Sequence, residues 1–201
     1  KIYVNLPNEH SVGFFMDKKD KILEVMLRLI KEQGIQATPM AQVAKEAGVA
    51  AGTIYHHFAS KEQLVNELYL KVKKEFGDLL VAKLNVDLGY KEKFWVLWKS
   101  LYYYYTQNPL AFNFSAQLGH SPLISDDIKV QAKQHYQPII EFFSEGIRSG
   151  LLKPMDAQLI GELVYGSVAS TVQMYYENNS NITLQVLEQA IEYSWDGISN
   201  K

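Results

Sequence analysis

From residue 16 onward one periodicity dominates this chain: apolar residues recur every three to four positions and do not alternate. Ile22, Val25, Met26, Leu29 and Ile30 follow the spacing of a single helical face, and Gly34 after Lys31-Glu32-Gln33 reads as its stop. The first helix is therefore predicted over residues 17–33. Thr38 as N-cap and Pro39 at the first helical position open a second short helix that Gly48 ends. A third covers about 50–57. Ser60 caps a fourth over 61–84, with Leu64, Leu68, Val72 and Leu79 as its apolar stripe. Asn108-Pro109, residues 119–122, Gly150 with Pro154, and residues 178–181 punctuate five more, at about 91–107, 109–118, 124–149, 156–178 and 183–199. The expected fold is all-α, with about nine helices and no internal repeat.

Composition narrows the function. The 201 residues contain no cysteine, which excludes disulfides and cysteine metal sites and fits a reducing cytoplasm. No apolar run approaches the roughly 18 residues of a membrane-spanning helix. The net charge of -2 is unevenly spread. Residues 16–84 hold eleven Lys/Arg against nine Asp/Glu, and residues 85–201 hold eight against twelve. A small basic head on an acidic body has this distribution. Residues 1–15 stand apart, with Pro7, Gly13 and no sustained period, before Met16 and the charged run from Asp17. They read as a tag or disordered arm ahead of a start at Met16, and they lack the pattern of a secretory signal. No Gly-x-Ser-x-Gly elbow, P-loop, His-Glu-x-x-His or convincing carboxylate pair is present, and His10, His120 and His135 lack obvious partners. No catalytic residue, cofactor or metal is expected.

The densest information lies in residues 38–58. Ala44 is small where two helices would cross, Gly48 supplies a left-handed turn, Val49 and Ile54 fill a small core, and Phe58 closes it against the first helix. Such a helix-turn-helix lays its second helix in the major groove, N-terminal residues first, which here are Ala50, Ala51, Gly52 and Thr53. Thr38, Val43-Ala44, Ala47-Gly48-Val49, Gly52-Thr53-Ile54-Tyr55, His57-Phe58, Ser60-Lys61-Glu62 and Leu64 together resemble the DNA-binding head of the tetracycline-repressor (TetR) family. The resemblance implies a head over 16–62 and a helical ligand-binding and dimerisation body over 63–201. It implies that Thr38 and Lys61 contact phosphate, that Thr53 sits at the groove, and that Tyr55 and His56 bind phosphate or sugar. Tyr55 as simple core is the alternative. Ala50-Ala51 departs from the polar and basic residues often found there, which shifts direct readout to Thr53, Gln42 and His56. The adjacent His56-His57 pair points in two directions on a helix and is not read as a metal site.

In the body, Phe94-Trp95, Trp98, Tyr102 through Tyr105, Phe112 and Phe114 crowd into one stretch. Trp95, Trp98, Tyr102 and Tyr105 share a helical face. With Phe112, Tyr136, Phe143 and Tyr165 they are candidate lining of a small-molecule chamber, a plain core stripe being the alternative. Few acids are placed to enter it, Glu141 and Glu162 being the exceptions, so a neutral or aromatic effector is favoured over a polycation. The resemblance further implies a four-helix homodimer interface from the last two helices, with Gly161, Val168, Ala169, Val172, Leu187, Ala190 and Ile191 as candidates. Intrachain burial is the alternative. A dimer would present two heads about 34–36 Å apart to a palindromic double-stranded DNA operator. The resemblance implies a repressor, released here by an apolar or aromatic effector. An enzyme and a protein-binding adaptor are the rivals. A ligand-sized chamber counts against the adaptor, and a filled core beneath Trp95–Tyr105 counts for it.

Overall fold

The computed structural model describes residues 17–119 and 121–200, so the readings of residues 1–15, Met16, His10 and His120 lie outside the described residues. Among those described, the chain forms nine helices: α1 (Lys18–Gln33), α2 (Met40–Ala47), α3 (Ala51–His57), α4 (Lys61–Leu84), α5 (Tyr90–Gln107), α6 (Pro109–Leu118), α7 (Asp126–Arg148), α8 (Ala157–Glu177) and α9 (Leu184–Ile198). The fold is all-α, as the periodicity implied. No described helix is long and apolar enough to cross a membrane.

Helix starts follow side-chain chemistry. Ser60, Asp156 and Thr183 each accept a hydrogen bond from the backbone N–H three residues on, satisfying donors that the first turn leaves open. The start of α2 departs from expectation. Pro39 is its N-cap residue, and Thr38 is fully buried with its hydroxyl donating to the Gly34 carbonyl at 2.8 Å. The threonine therefore locks the α1–α2 turn instead of capping α2. At the other end of the chain, Gly150 lets the backbone turn back, and Leu151 and Leu152 both donate to the Gly146 carbonyl at 2.9 Å. An antiparallel bridge between Leu152 and Ser199 then ties the end of α7 to the end of α9.

Two apolar cores share α4. Its first half gives Leu64, Val65, Leu68 and Val72 to a core with α1 and α2, and its second half gives Phe76 and Leu80 to a core with α5, α7, α8 and α9. The stripe rotates between them, so Phe76 and Leu80 are buried and Leu79 only partly. The short α6 is two-faced: Ala111, Phe114 and Leu118 join the head core, while Phe112 joins the body core. The boundary drawn at residue 62 thus separates sequence segments but not cores.

Helices α4 and α7 are in close contact, and Gly77 permits it: a Cβ there would collide with the His135 carbonyl on α7. Gly77→Ala gains about 1 kcal/mol of helix propensity but overpacks a backbone contact, which costs about 1–3 kcal/mol. The variant is expected to be less stable in urea denaturation.

Candidate functional site

The head is held by Gly48 and Phe58. Gly48 adopts φ +66° and ψ 34°, and its N–H reaches the Ala44 and Lys45 carbonyls, closing α2 and turning the chain into α3. Ile54 and Phe58 are completely buried against α1, with the Lys19 ammonium 5.7 Å from the Phe58 ring centroid. These contacts turn the other side of α3 outward. Ala50, Ala51, Gly52 and His56 are exposed, Thr53 is half-buried, and Tyr55 is 56% exposed, which removes the core reading of Tyr55. His57 packs beside Phe58, their ring centroids 6.2 Å apart.

Three other candidates are differently placed. Thr38 is buried and its hydroxyl is committed to Gly34, so it presents no free group to a phosphate. Gln42 accepts from Gln33 and donates to Glu46, both at 2.9 Å, and Arg28 pairs with the same Glu46. Arg28 and Gln42 hold the Glu46 carboxyl below the usual carboxylate range. Gln42 can read a base only by exchanging these bonds. Lys61 begins α4 and reaches the Gln36 carbonyl at 3.4 Å, which places its charge beside the α1–α2 loop; partial burial lowers its pKa.

A cavity of about 490 Å³ lies between α4, α5, α6, α7 and α8. Trp98, Phe112, Tyr136, Phe143 and Tyr165 line it as expected. Trp95, Tyr102 and Tyr105 do not. Trp95 stands under the Lys99 ammonium, Tyr102 packs against Trp98 and Tyr175, and Tyr105 donates to Ser115 behind the wall. The cause is that α5 is enclosed on two sides. Phe94, Leu97, Trp98 and Leu101 face the cavity, and the adjoining side packs on α8 and α9. Trp98 itself is fixed by its indole N–H donating to Ser167 at 3.0 Å. Glu162 lines the cavity, but Glu141 faces a shallow outer groove and pairs with Arg148.

Helix α4 supplies cavity residues that the periodicity reading missed: Tyr69, Lys73, Phe76 and Leu80. Their spacing of four, three and four was visible in the sequence, with a lysine embedded in the apolar run. The surrounding phenols are pushed up by burial, Tyr136 to about 12 and Tyr105 well above its ordinary value. They are neutral hydrogen-bond donors at physiological pH.

The dimer candidates require correction. Val168, Val172, Leu187 and Ile191 are buried in their own subunit's core, with Ala169 and Ala190 packed against that core. Gly161 faces Ile140 and Phe143 of α7. The open stripe of α8 is instead Leu159, Leu163, Gly166 and Ser170, accompanied by Tyr193 of α9, which is 81% exposed. Both faces of α8 are rich in small and apolar residues, so hydrophobicity alone selected the inner one.

Known proteins agree with this layout over both halves. The family described as bacterial regulatory proteins, tetR family, matches residues 22–68, and the tetracyclin repressor-like C-terminal domain matches residues 89–199. The chain belongs to the TetR family. A TetR-family regulator from Shewanella sp. PV-4 has a TM-score of 0.86 at 29% identity, covering 92% of this chain and all of that one. The transcriptional repressor KstR2 of Mycobacterium tuberculosis is 24% identical over 96% of this chain and 98% of its own length. The fatty acid metabolism regulator of Bacillus subtilis is 27% identical over 90% and 95%. TetR-family proteins are DNA-binding transcriptional regulators and not enzymes.

The burial pattern separates framework from surface in the head of this TetR-family chain. Phe58→Ala is expected to lower stability by about 3–5 kcal/mol. Tyr55→Ala, on the exposed side, is expected to shift it by no more than about 0.5 kcal/mol. Chemical denaturation of the two variants checks the contrast.

Proposed function

We propose that this TetR-family protein is a repressor that binds a palindromic operator as a homodimer in the cytoplasm and is released by a small, largely apolar effector. The observation that carries the reading is the shared wall between cavity and head. Phe112 and Ser115 of α6 line the cavity while Phe114 and Leu118 of the same helix pack in the head core, and α4 runs through both. A ligand that displaces these two helices moves the head with them. It must bind the DNA-incompetent arrangement more tightly, and the operator must weaken ligand binding by the same factor. A chamber of ligand size counts against the protein-binding adaptor. The relatives named as a repressor and as a fatty acid metabolism regulator support repression and an apolar effector.

On the operator, Thr53 is the groove-facing side chain able to form a base-specific hydrogen bond from the start of α3, with Ala50 and Ala51 suited to thymine methyls. Tyr55, His56 and Lys61 hold the backbone. Gln42 contributes after exchanging its bond to Glu46. The dimer forms through Leu159, Leu163, Gly166 and Ser170 of α8 with Tyr193 of α9, a stripe whose small residues admit a close partner.

Selection of bound sequences from a random DNA pool, at stated salt, tests the head. Paired half-sites are expected. Thr53→Ala should lose preference at a position within each half-site, whereas Lys61→Ala should weaken all sequences alike and reduce the salt slope by about one. No enrichment at low salt would overturn DNA binding by this chain. Leu163→Asp is expected to give a folded monomer in sedimentation velocity with little operator affinity. A dimer of unchanged stability would move the interface off this stripe.

A further inference from the structure

Lys73 is the misfit of the cavity. It lies on the lining face of α4 between Tyr69 and Phe76, among apolar neighbours. Its ammonium stands 5.6 Å from the Tyr69 and Phe76 ring centroids and 5.7 Å from that of Tyr165. Among the described residues it has no hydrogen bond and no ion pair within 4.0 Å, and Glu162 acts on it only from beyond that range. The neighbouring lysines of the same helix behave differently. Lys71 pairs with Asp20 at 2.7 Å and Lys74 with Asp78 at 2.5 Å, both at the surface. Lys73 is half-buried, and its desolvation lowers its pKa while the Glu162 charge raises it in part. The three rings offset part of that desolvation through cation–π attraction but supply no acceptor.

The lining carries Lys73, Lys129 and Lys133 against the single carboxylate Glu162. Lys129 pairs with Asp126 at 3.4 Å and Lys133 donates to Gln158 at 2.6 Å, so among the described residues Lys73 is the lining lysine left without a partner. The Tyr136 phenol lines the same space, is held protonated by burial, and makes no hydrogen bond among the described residues. Away from Lys73 the wall is aromatic and aliphatic, with Phe94, Trp98, Leu101 and Val168.

Building on the effector-chamber reading above, we propose that the effector is an anionic amphiphile whose oxyanion head binds Lys73 and the Tyr136 hydroxyl while its apolar tail lies along Phe94, Trp98 and Leu101. The anion supplies the acceptor that the ammonium lacks, and the charge-assisted bond is strengthened by the surrounding apolar medium. This also refines the effector expected from the sequence: its body is apolar, but it is not neutral.

The test is a tryptophan-fluorescence titration of the whole protein with straight-chain carboxylates from octanoate to hexadecanoate. The matching alcohols, amines, alkyl phosphates and acyl-coenzyme A thioesters form the other arms. The best carboxylate or phosphate should bind about ten- to a hundredfold more tightly than its alcohol. Comparing those two arms with the thioester distinguishes a free acid from a phosphate-bearing conjugate. Lys73→Met should weaken the anion by that factor and leave the alcohol unchanged, while Lys73→Arg should keep much of the preference. Free Lys73→Met should melt no lower than the parent, because it loses a desolvated charge. A lysine retained only for packing would instead lower the melting temperature and affect both ligands alike. Equal binding of anion and alcohol, tightest binding of the amine, or equal losses in Lys73→Met would each overturn the proposal. In those cases an alcohol or amine that still releases operator DNA leaves the effector-chamber reading standing. Binding of no probe overturns the anionic amphiphile. Anion binding that never releases DNA sustains the site and overturns only its effector role.

Discussion

Everything in this molecule depends on one uninterrupted helix belonging to two cores. Helix α4 anchors Leu64 and Leu68 among the residues that position α3, and Phe76 and Leu80 among those that surround the cavity. Close packing makes such a helix hard to deform locally. A displacement at its middle must therefore appear at one of its ends. Gly77 strengthens the constraint, because the absence of a side chain lets α7 rest directly on the backbone of α4. On the proposed effector reading, any movement of α7 would reach α4 through this backbone contact.

The second connection, α6, works by having two different faces. Phe112 looks into the cavity, while Phe114 and Leu118 look into the head core beside α1. A ten-residue helix wedged in this way has no independent core of its own. The two connections meet different parts of the head, α4 following the helix-turn-helix and α6 supporting α1.

The sequence was legible where backbone geometry dictates residue type. Gly48, Pro39, Ser60 and Asn108-Pro109 mark turns and caps that few other residues can make, and the element order followed from them. The head was readable for the same reason: Ala44, Gly48, Ile54 and Phe58 serve one tight crossing, and the exposed side of α3 is fixed once they are buried. The body was less legible because α5 and α8 are apolar over more than one face. On α5 the period could not distinguish the cavity side, with Phe94 and Leu97, from the side that packs Tyr102 against Tyr175. On α8 it could not tell buried Val168 and Val172 from exposed Leu159 and Leu163. Phase within a doubly apolar helix is decided by which neighbours it meets, which is tertiary information. The capping role read for Thr38 gave way for a related reason: its hydroxyl donates to the Gly34 carbonyl of the α1–α2 turn, and Pro39 takes the N-cap position.

Lys73 shows the other limit of pattern reading. Polar residues on a helix are ordinarily assigned to its wet face, and the run Lys71, Lys73, Lys74 looks like such a face. Only Lys71 and Lys74 have surface carboxylates to meet. Lys73 falls in register with Tyr69, Phe76 and Leu80, and so points inward by geometry whatever its own preference. Lys73 violates the binary pattern at the wall of a cavity, on the helix that joins cavity to head, which is the position from which the proposed effector would act on the head. An ammonium set among aromatic rings costs stability unless an acceptor meets it, and the proposed anionic amphiphile would supply that acceptor. On the proposed effector reading the binding energy falls on α4 itself, so the ligand shifts the head only as far as it prefers one arrangement of that helix over another.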